Sequence, residues 1–258
     1  MVTAKYPVAQ TDPPRSPRDT LPTMYDLPSD NPQEPGLPDE FHDLQPQLLS
    51  ATLRLSHYSS EQLFTGTDLN LYYDIRHLLR YKRPDWFLAL GVPRLYDGTE
   101  LRMSYVIWQE GISPFVVVEL LSPGTEREDL GQSQRQGDQP PTKWEVYEQI
   151  LRVPYYIVFD RYNDRLRAFS LQAGHYQELA LAEPKVWMPE LEVGLGLWQG
   201  RYQGIDRQWL RWYGGDGTWL STDAELERQR AEQAEAELAT LRQRLRERGI
   251  DPDELLMP

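Results

Sequence analysis

The chain has 258 residues and carries 27 Lys and Arg against 40 Asp and Glu, a formal net charge of -13, with 40% hydrophobic residues, 8 Trp, 15 Tyr and no Cys. The apolar content suffices for a buried core, while the absence of Cys excludes disulfides, thiolate metal sites and a Cys nucleophile. Net negative charge disfavours a sequence-independent grip on nucleic acid, which depends on Lys and Arg neutralising phosphates, yet residues 46–222 hold 18 basic and 22 acidic residues, so most of the excess lies in the two tails.

The first residues contain no apolar h-region, and no run approaches the roughly 18 apolar residues of a membrane span, which points to an unexported, cytoplasmic protein. Residues 1–42 read as a flexible arm: TDPPRSPRDTLPTMYDLPSDNPQEPGLP, Thr11 to Pro38, is dense in Pro, Ser and Asp and has no periodic apolar face. A single domain is expected over 43–221 and a helical tail over 222–258.

The domain opens with DLQPQLLSATLRLSHY, where Leu44, Leu48, Leu49, Thr52 and Leu53 fall at near-helical spacing and Pro46 suits a first turn. The period then shortens. DLNLYYDI (68–75), DWFLAL (85–90), SYVIWQE (104–110) and FVVVELL (115–121) are short, rich in β-branched and aromatic residues and separated by turn material, so they predict neighbouring strands. A polar loop leads to TKWEVYEQIL (142–151), a helix with Thr142 as N-cap and with Trp144, Tyr147, Ile150 and Leu151 on one stripe packed against the sheet.

PYYIVFD (154–160) is a further strand, closed by Asp160 bonding turn amides. RLRAFSL (165–171) and HYQELAL (175–181) form an antiparallel hairpin after a turn at Tyr162–Asp164. The Trp- and Gly-rich stretch Val186–Leu220 suggests more strands or a cap, without a register. From Asp223, Ala224, Ala231, Leu238 and Leu245 recur seven apart with Ala234 and Leu241 between them, consistent with a homodimeric coiled coil or with a solvated helix lying on its own domain.

Glu119 sits inside the apolar run FVVVELL, and a carboxylate taken out of water costs several kcal/mol unless it is paired, hydrogen-bonded or bound to a metal. An Arg of a neighbouring strand, such as Arg102, is one candidate partner. Apolar strands deliver functional side chains where they end, and Asp85 stands at the mouth of another strand, directly after a Pro that cannot extend a ladder inward. Two such carboxylates can share Mg²⁺ or Mn²⁺, hard ions that take oxygen ligands. Lys143, in the first turn of the following helix, is the candidate ammonium. Asp129 reads as a loop residue or an outer acid. The four His lack zinc-site spacing, and no G-x-S-x-G, P-loop or G-x-G-x-x-G occurs.

The order RPDWF, FVVVELLSPGTEREDL, TKWEVYEQILRVPYYIVFD resembles the Uma-type family of restriction-endonuclease-like proteins, a branch of the PD-(D/E)xK nuclease superfamily, over about Leu69 to Leu179. The resemblance implies an α/β (α+β) fold with a mixed central sheet flanked by helices, and a metal-dependent endonuclease acting on DNA. It also implies Asp85 and Glu119 as metal carboxylates, with the backbone carbonyl of Leu120 as a further ligand. In the broad superfamily a Lys follows the acid by two residues; here that position is Leu121, so the resemblance points to Lys143 as the catalytic cation. GQSQRQGDQPP between Asp129 and Lys143 is longer than in many relatives. The alternative from another class is a non-catalytic interaction protein on the same fold, dimerising through its C-terminal helix.

Overall fold

A computed structural model describes residues 39–77, 79–122, 126–133 and 139–249. Most of the proline-rich arm and the last nine residues, like the SPGT turn from Pro123 and the middle of the insertion, lie outside the described residues. Helix α1 (Glu40–Thr52) begins three residues before the expected start, because Asp39 caps it, its carboxylate accepting from the N–H groups of Phe41 and His42. Pro46 is therefore a buried residue of the helix interior rather than of its first turn.

The central sheet has six strands in the order β1-β4-β6-β7-β8-β9, formed by Leu63–Thr67, Trp86–Leu90, Val116–Leu120, Tyr155–Asp160, Arg165–Gln172 and His175–Glu178. It is mixed: β6 and β7 run parallel and every other neighbouring pair is antiparallel. The parallel pair is joined through helix α4 (Lys143–Glu145), which continues as a π-helical turn over Val146–Ile150, the crossover that a parallel connection requires.

Two expected strands are corrected. Within 68–75 only Leu71–Tyr72 is strand (β2), and the edge strand of the main sheet is the preceding Leu63–Thr67, whose weaker pattern includes Gly66. Within 104–110 only Tyr105–Val106 (β5) is extended, after which Ile107–Glu110 forms one helical turn, α2. With β3 (Tyr81–Lys82) these make a small sheet in the order β3-β2-β5. The Trp-rich stretch resolves into an antiparallel sheet of β10 (Lys185–Met188), β11 (Val193–Tyr202) and β12 (Ile205–Tyr213).

Strand alternation sorts the core into two layers. Trp86, Leu88, Val116, Val118, Ile157 and Phe159 face α1 and the β10–β12 sheet. Phe87, Ala89, Val117, Tyr156 and Val158 face α4 and the small sheet. The first layer is locked by Gln45, fully buried, whose amide donates to the Leu210 carbonyl and whose carbonyl accepts the Leu210 N–H, both at 2.8 Å. The last element, α5 (Asp223–Glu247), is the expected tail helix and buries none of its residues. No helix among the described residues is long and apolar enough to cross a membrane.

Candidate active site

Glu119 is the fourth residue of β6, a strand buried along its whole length. Alternation puts its side chain on the face shared by Val117 and Leu121, beneath α4, where it is 0% exposed. The antiparallel register Trp86↔Val118 continues one step to set Asp85 beside Glu119 across the β4–β6 pair. Asp85, half-buried, accepts the Leu120 N–H at 2.6 Å through Oδ2. The register thus sets the two acids at neighbouring positions on adjacent strands.

The partners of Glu119 come from α4. Thr142 caps this helix in a capping box with Glu145, and the N–H of Lys143 donates to Glu128. Lys143 Nζ lies 3.0 Å from Glu119 Oε2 and 3.0 Å from Asp129 Oδ1. Four residues on, the Tyr147 hydroxyl donates to Glu119 Oε1 at 2.9 Å. The π turn behind it, with the Leu151 N–H donating to the Val146 carbonyl at 2.8 Å, is a form often found at functional sites. Trp144 packs edge-on against Tyr156, Phe169 and Tyr176, holding the helix to the sheet.

Asp129 is a correction. It ends a short helix, α3 (Glu126–Asp129), is 1% exposed, and is a direct ion-pair partner of Lys143 rather than a loop residue. The chain then turns at Gly131, with φ +67, against the indole of Trp144; a Cβ there would come within 2.6 Å of Trp144 Cδ2. The pairing of Arg102 with Glu119 is also corrected, since Arg102 forms a fork with Glu110 at 2.7 and 3.0 Å.

Residue His42, unmarked by any spacing in the sequence, reaches the site from α1. Its Nδ1 lies 2.9 Å from Asp39 Oδ1, and its Nε2 lies 3.0 Å from the Leu120 carbonyl and 3.1 Å from Ser122 Oγ. Asp39 is in turn ion-paired with Arg161. The carbonyl expected to bind a metal is thus already met by an imidazole. A sequence signal did exist for Tyr147, because Lys-x-x-x-Tyr places both side chains on one helical face; none existed for His42, which lies 78 residues from its partner.

Burial raises Glu119 well above the ordinary carboxylate range, opposed by Lys143 and reinforced by the charges of Asp85 and Asp129. Burial likewise raises Asp85, against the pull of Lys143 and His42. For Lys143, burial works against the ammonium, but Glu119, Asp129 and Asp85 outweigh it and hold its pKa well above the usual value. Burial also opposes the His42 imidazolium, while its bond to Asp39 and the charge of Asp85 raise its pKa on balance.

Three carboxylates thus converge on one ammonium, and the donors Asp85, Glu119 and the Leu120 carbonyl are all oxygen, the kind that Mg²⁺ and Mn²⁺ accept. Burial lifts Glu119 first and the charges of Asp85 and Asp129 add to it; it is this second, like-charge part that an added cation would relieve. No group of three or more His, Asp or Glu side chains among the described residues is arranged to hold a metal.

Residues 17–205 match the model of a family described as "Uma2: Putative restriction endonuclease". No curated protein matches the chain.

Proposed function

The chain belongs to the Uma2 family, and on that premise we propose that it is a metal-dependent endonuclease that hydrolyses phosphodiester bonds in DNA, working in the cytoplasm as a homodimer. The observation that carries this reading is the convergence of Asp85, Glu119 and Lys143 at the ends of β4 and β6 and the start of α4. In this reading Asp85, Glu119 and the Leu120 carbonyl hold Mg²⁺ or Mn²⁺, which when bound supplies an acidified water and offsets charge on the phosphate.

The chain's own groups have separable roles. Lys143 keeps its proton far above neutral pH and so acts as a fixed positive charge toward a phosphate oxygen, not as a general base. Tyr147 fixes the orientation of Glu119 through its hydroxyl, and the Leu120 N–H does the same for Asp85. His42 orients the Leu120 carbonyl from the opposite face of the strand. Asp129 shares Lys143 with Glu119 and holds the ammonium in place.

The test is incubation of supercoiled plasmid with the protein in Mg²⁺, Mn²⁺ or EDTA, with circular dichroism confirming that each variant is folded. Nicking should need metal and should disappear in Asp85→Ala and in Glu119→Gln. No cleavage in either metal, together with calorimetric metal titrations that are the same for the wild type and Asp85→Ala, would overturn the reading and leave a non-catalytic interaction protein on this fold.

A further inference from the structure

Helix α5 is 25 residues long, about 37 Å at the usual helical rise, and its side-chain ties to the domain described here are at its start. Thr222 and Glu225 form a capping box there, Glu225 is ion-paired with Arg211, and Asp223 with Arg54. Beyond this turn the helix is solvated, whereas most helical stability in proteins comes from packing of an amphipathic face rather than from propensity. Its exposed Leu238 and Leu241, at 48% and 55%, lie on one seam with Ala231, Ala234 and Leu245, the a and d positions of a heptad repeat.

The flanking charges say what covers the seam. Taking Ala231 and Leu238 as a positions, the e positions are Arg228, Glu235 and Arg242 and the g positions are Arg230, Glu237 and Arg244. In a parallel, in-register pair each g residue faces the e residue five positions later on the other helix. Arg230 then meets the partner's Glu235, Glu237 meets the partner's Arg242, and two-fold symmetry repeats each pair. The antiparallel register that overlaps the whole helix, with Leu238 opposite Ala234, sets Glu235 and Glu237 each against its own copy, Arg228 against Arg242 and Arg230 against Arg244. An antiparallel register offset by a heptad restores opposite charges, but in one direction it leaves the helix before about residue 230 unpaired and in the other it leaves Leu245 unpaired and sets Leu238 against Glu227.

We propose that α5 binds α5 of a second copy of this chain as a parallel, in-register two-stranded coiled coil, with Arg230–Glu235 and Glu237–Arg242 as its selecting ion pairs. Both domains then sit at the same end of the coil. The ion pairs within the helix, Arg230 with Glu227 and Arg228 with Glu232, are exposed and give way at little cost. The inference concerns association alone and does not rest on the nuclease reading.

Sedimentation equilibrium of the full chain tests it. The mass should be twice the 30.2 kDa of one chain. Glu235→Arg, which turns two attractive contacts into two repulsive ones, should raise the dissociation constant about tenfold, and adding Arg230→Glu should restore it. Because the chain has no Cys, Ala231→Cys introduces a single thiol, and under mild oxidation it should give a disulfide-linked dimer; in the antiparallel register that leaves the helix before about residue 230 unpaired, the two copies of position 231 lie about 25 Å apart, and the other offset pairs Arg230 with Glu237, so there Arg230→Glu would not restore the Glu235→Arg variant. A monomer throughout the micromolar range, a dimer indifferent to both charge changes, or a dimer in which Ala231→Cys does not cross-link would each overturn the proposal.

Discussion

Lys143 Nζ lies 3.0 Å from Glu119 Oε2, so an ammonium from the first turn of one helix neutralises a carboxylate that the sheet has taken fully out of water. Removing one member of such a pair leaves the other charged and buried, which typically costs 3–5 kcal/mol. With the Lys143 side chain 21% exposed, Lys143→Met should cost about 3 kcal/mol in urea unfolding. Adding Glu119→Gln should recover part of that loss, because the stranded charge is gone. Equal stability of the single and double variants would show that Glu119 is not left charged once Lys143 is removed.

The Tyr147 hydroxyl supplies the other oxygen of Glu119 with its donor. Tyr147→Phe keeps the ring against Tyr156, at 5.5 Å between centroids, but leaves a buried carboxylate oxygen short of a hydrogen bond. The expected loss is about 1–3 kcal/mol, read as a shift of the urea midpoint at unchanged slope. An unchanged midpoint would mean that the bond is not formed in solution.

The first core layer depends on Gln45, which imitates a peptide group toward Leu210. Gln45→Leu fills similar volume but strands the N–H and carbonyl of a residue in a buried strand. The cost should be about 2 kcal/mol or more, and hydrogen exchange at the Leu210 amide should accelerate more than exchange in β6 or β7. Uniform acceleration across the sheet would instead indicate a global effect.

Glu225 joins the capping box of α5 to Arg211, a guanidinium only 3% exposed. Burial raises the carboxyl, but Arg211 and the Thr222 N–H outweigh it and set its pKa below the ordinary value. A lowered folded pKa means that the stabilisation is complete above the unfolded carboxylate value of about 4.3 and is lost as pH falls through the folded value. Glu225→Gln should therefore cost roughly 1 kcal/mol at pH 7, with the gap to the wild type closing toward pH 3. A gap independent of pH would assign the cost to packing alone.

The hairpin at 165–178, the strand ending in Asp160 and the packing of Trp144 and Tyr147 follow the sequence pattern closely. Asp160 bonds the Tyr162 N–H and the Asn163 side chain, as a turn acid should. The small sheet is not legible in the sequence because β2 and β5 are two residues long, and aromatic content by itself does not reveal where a ladder stops. Local helix signals at 126–129 were equally weak, so the burial of Asp129 was invisible until α3 packed beside α4.

From residue order alone came the buried strand with its lone acid, the Asp after a Pro, the N-cap at Thr142 and the heptads of the tail, because each depends on neighbours within one or two turns of chain. Tertiary structure decided which groups those residues meet: Lys143 bridging Glu119 and Asp129, and His42 on the Leu120 carbonyl. Periodicity states which face a side chain occupies, but a charge within a core is satisfied by whichever distant element the packing brings against that face.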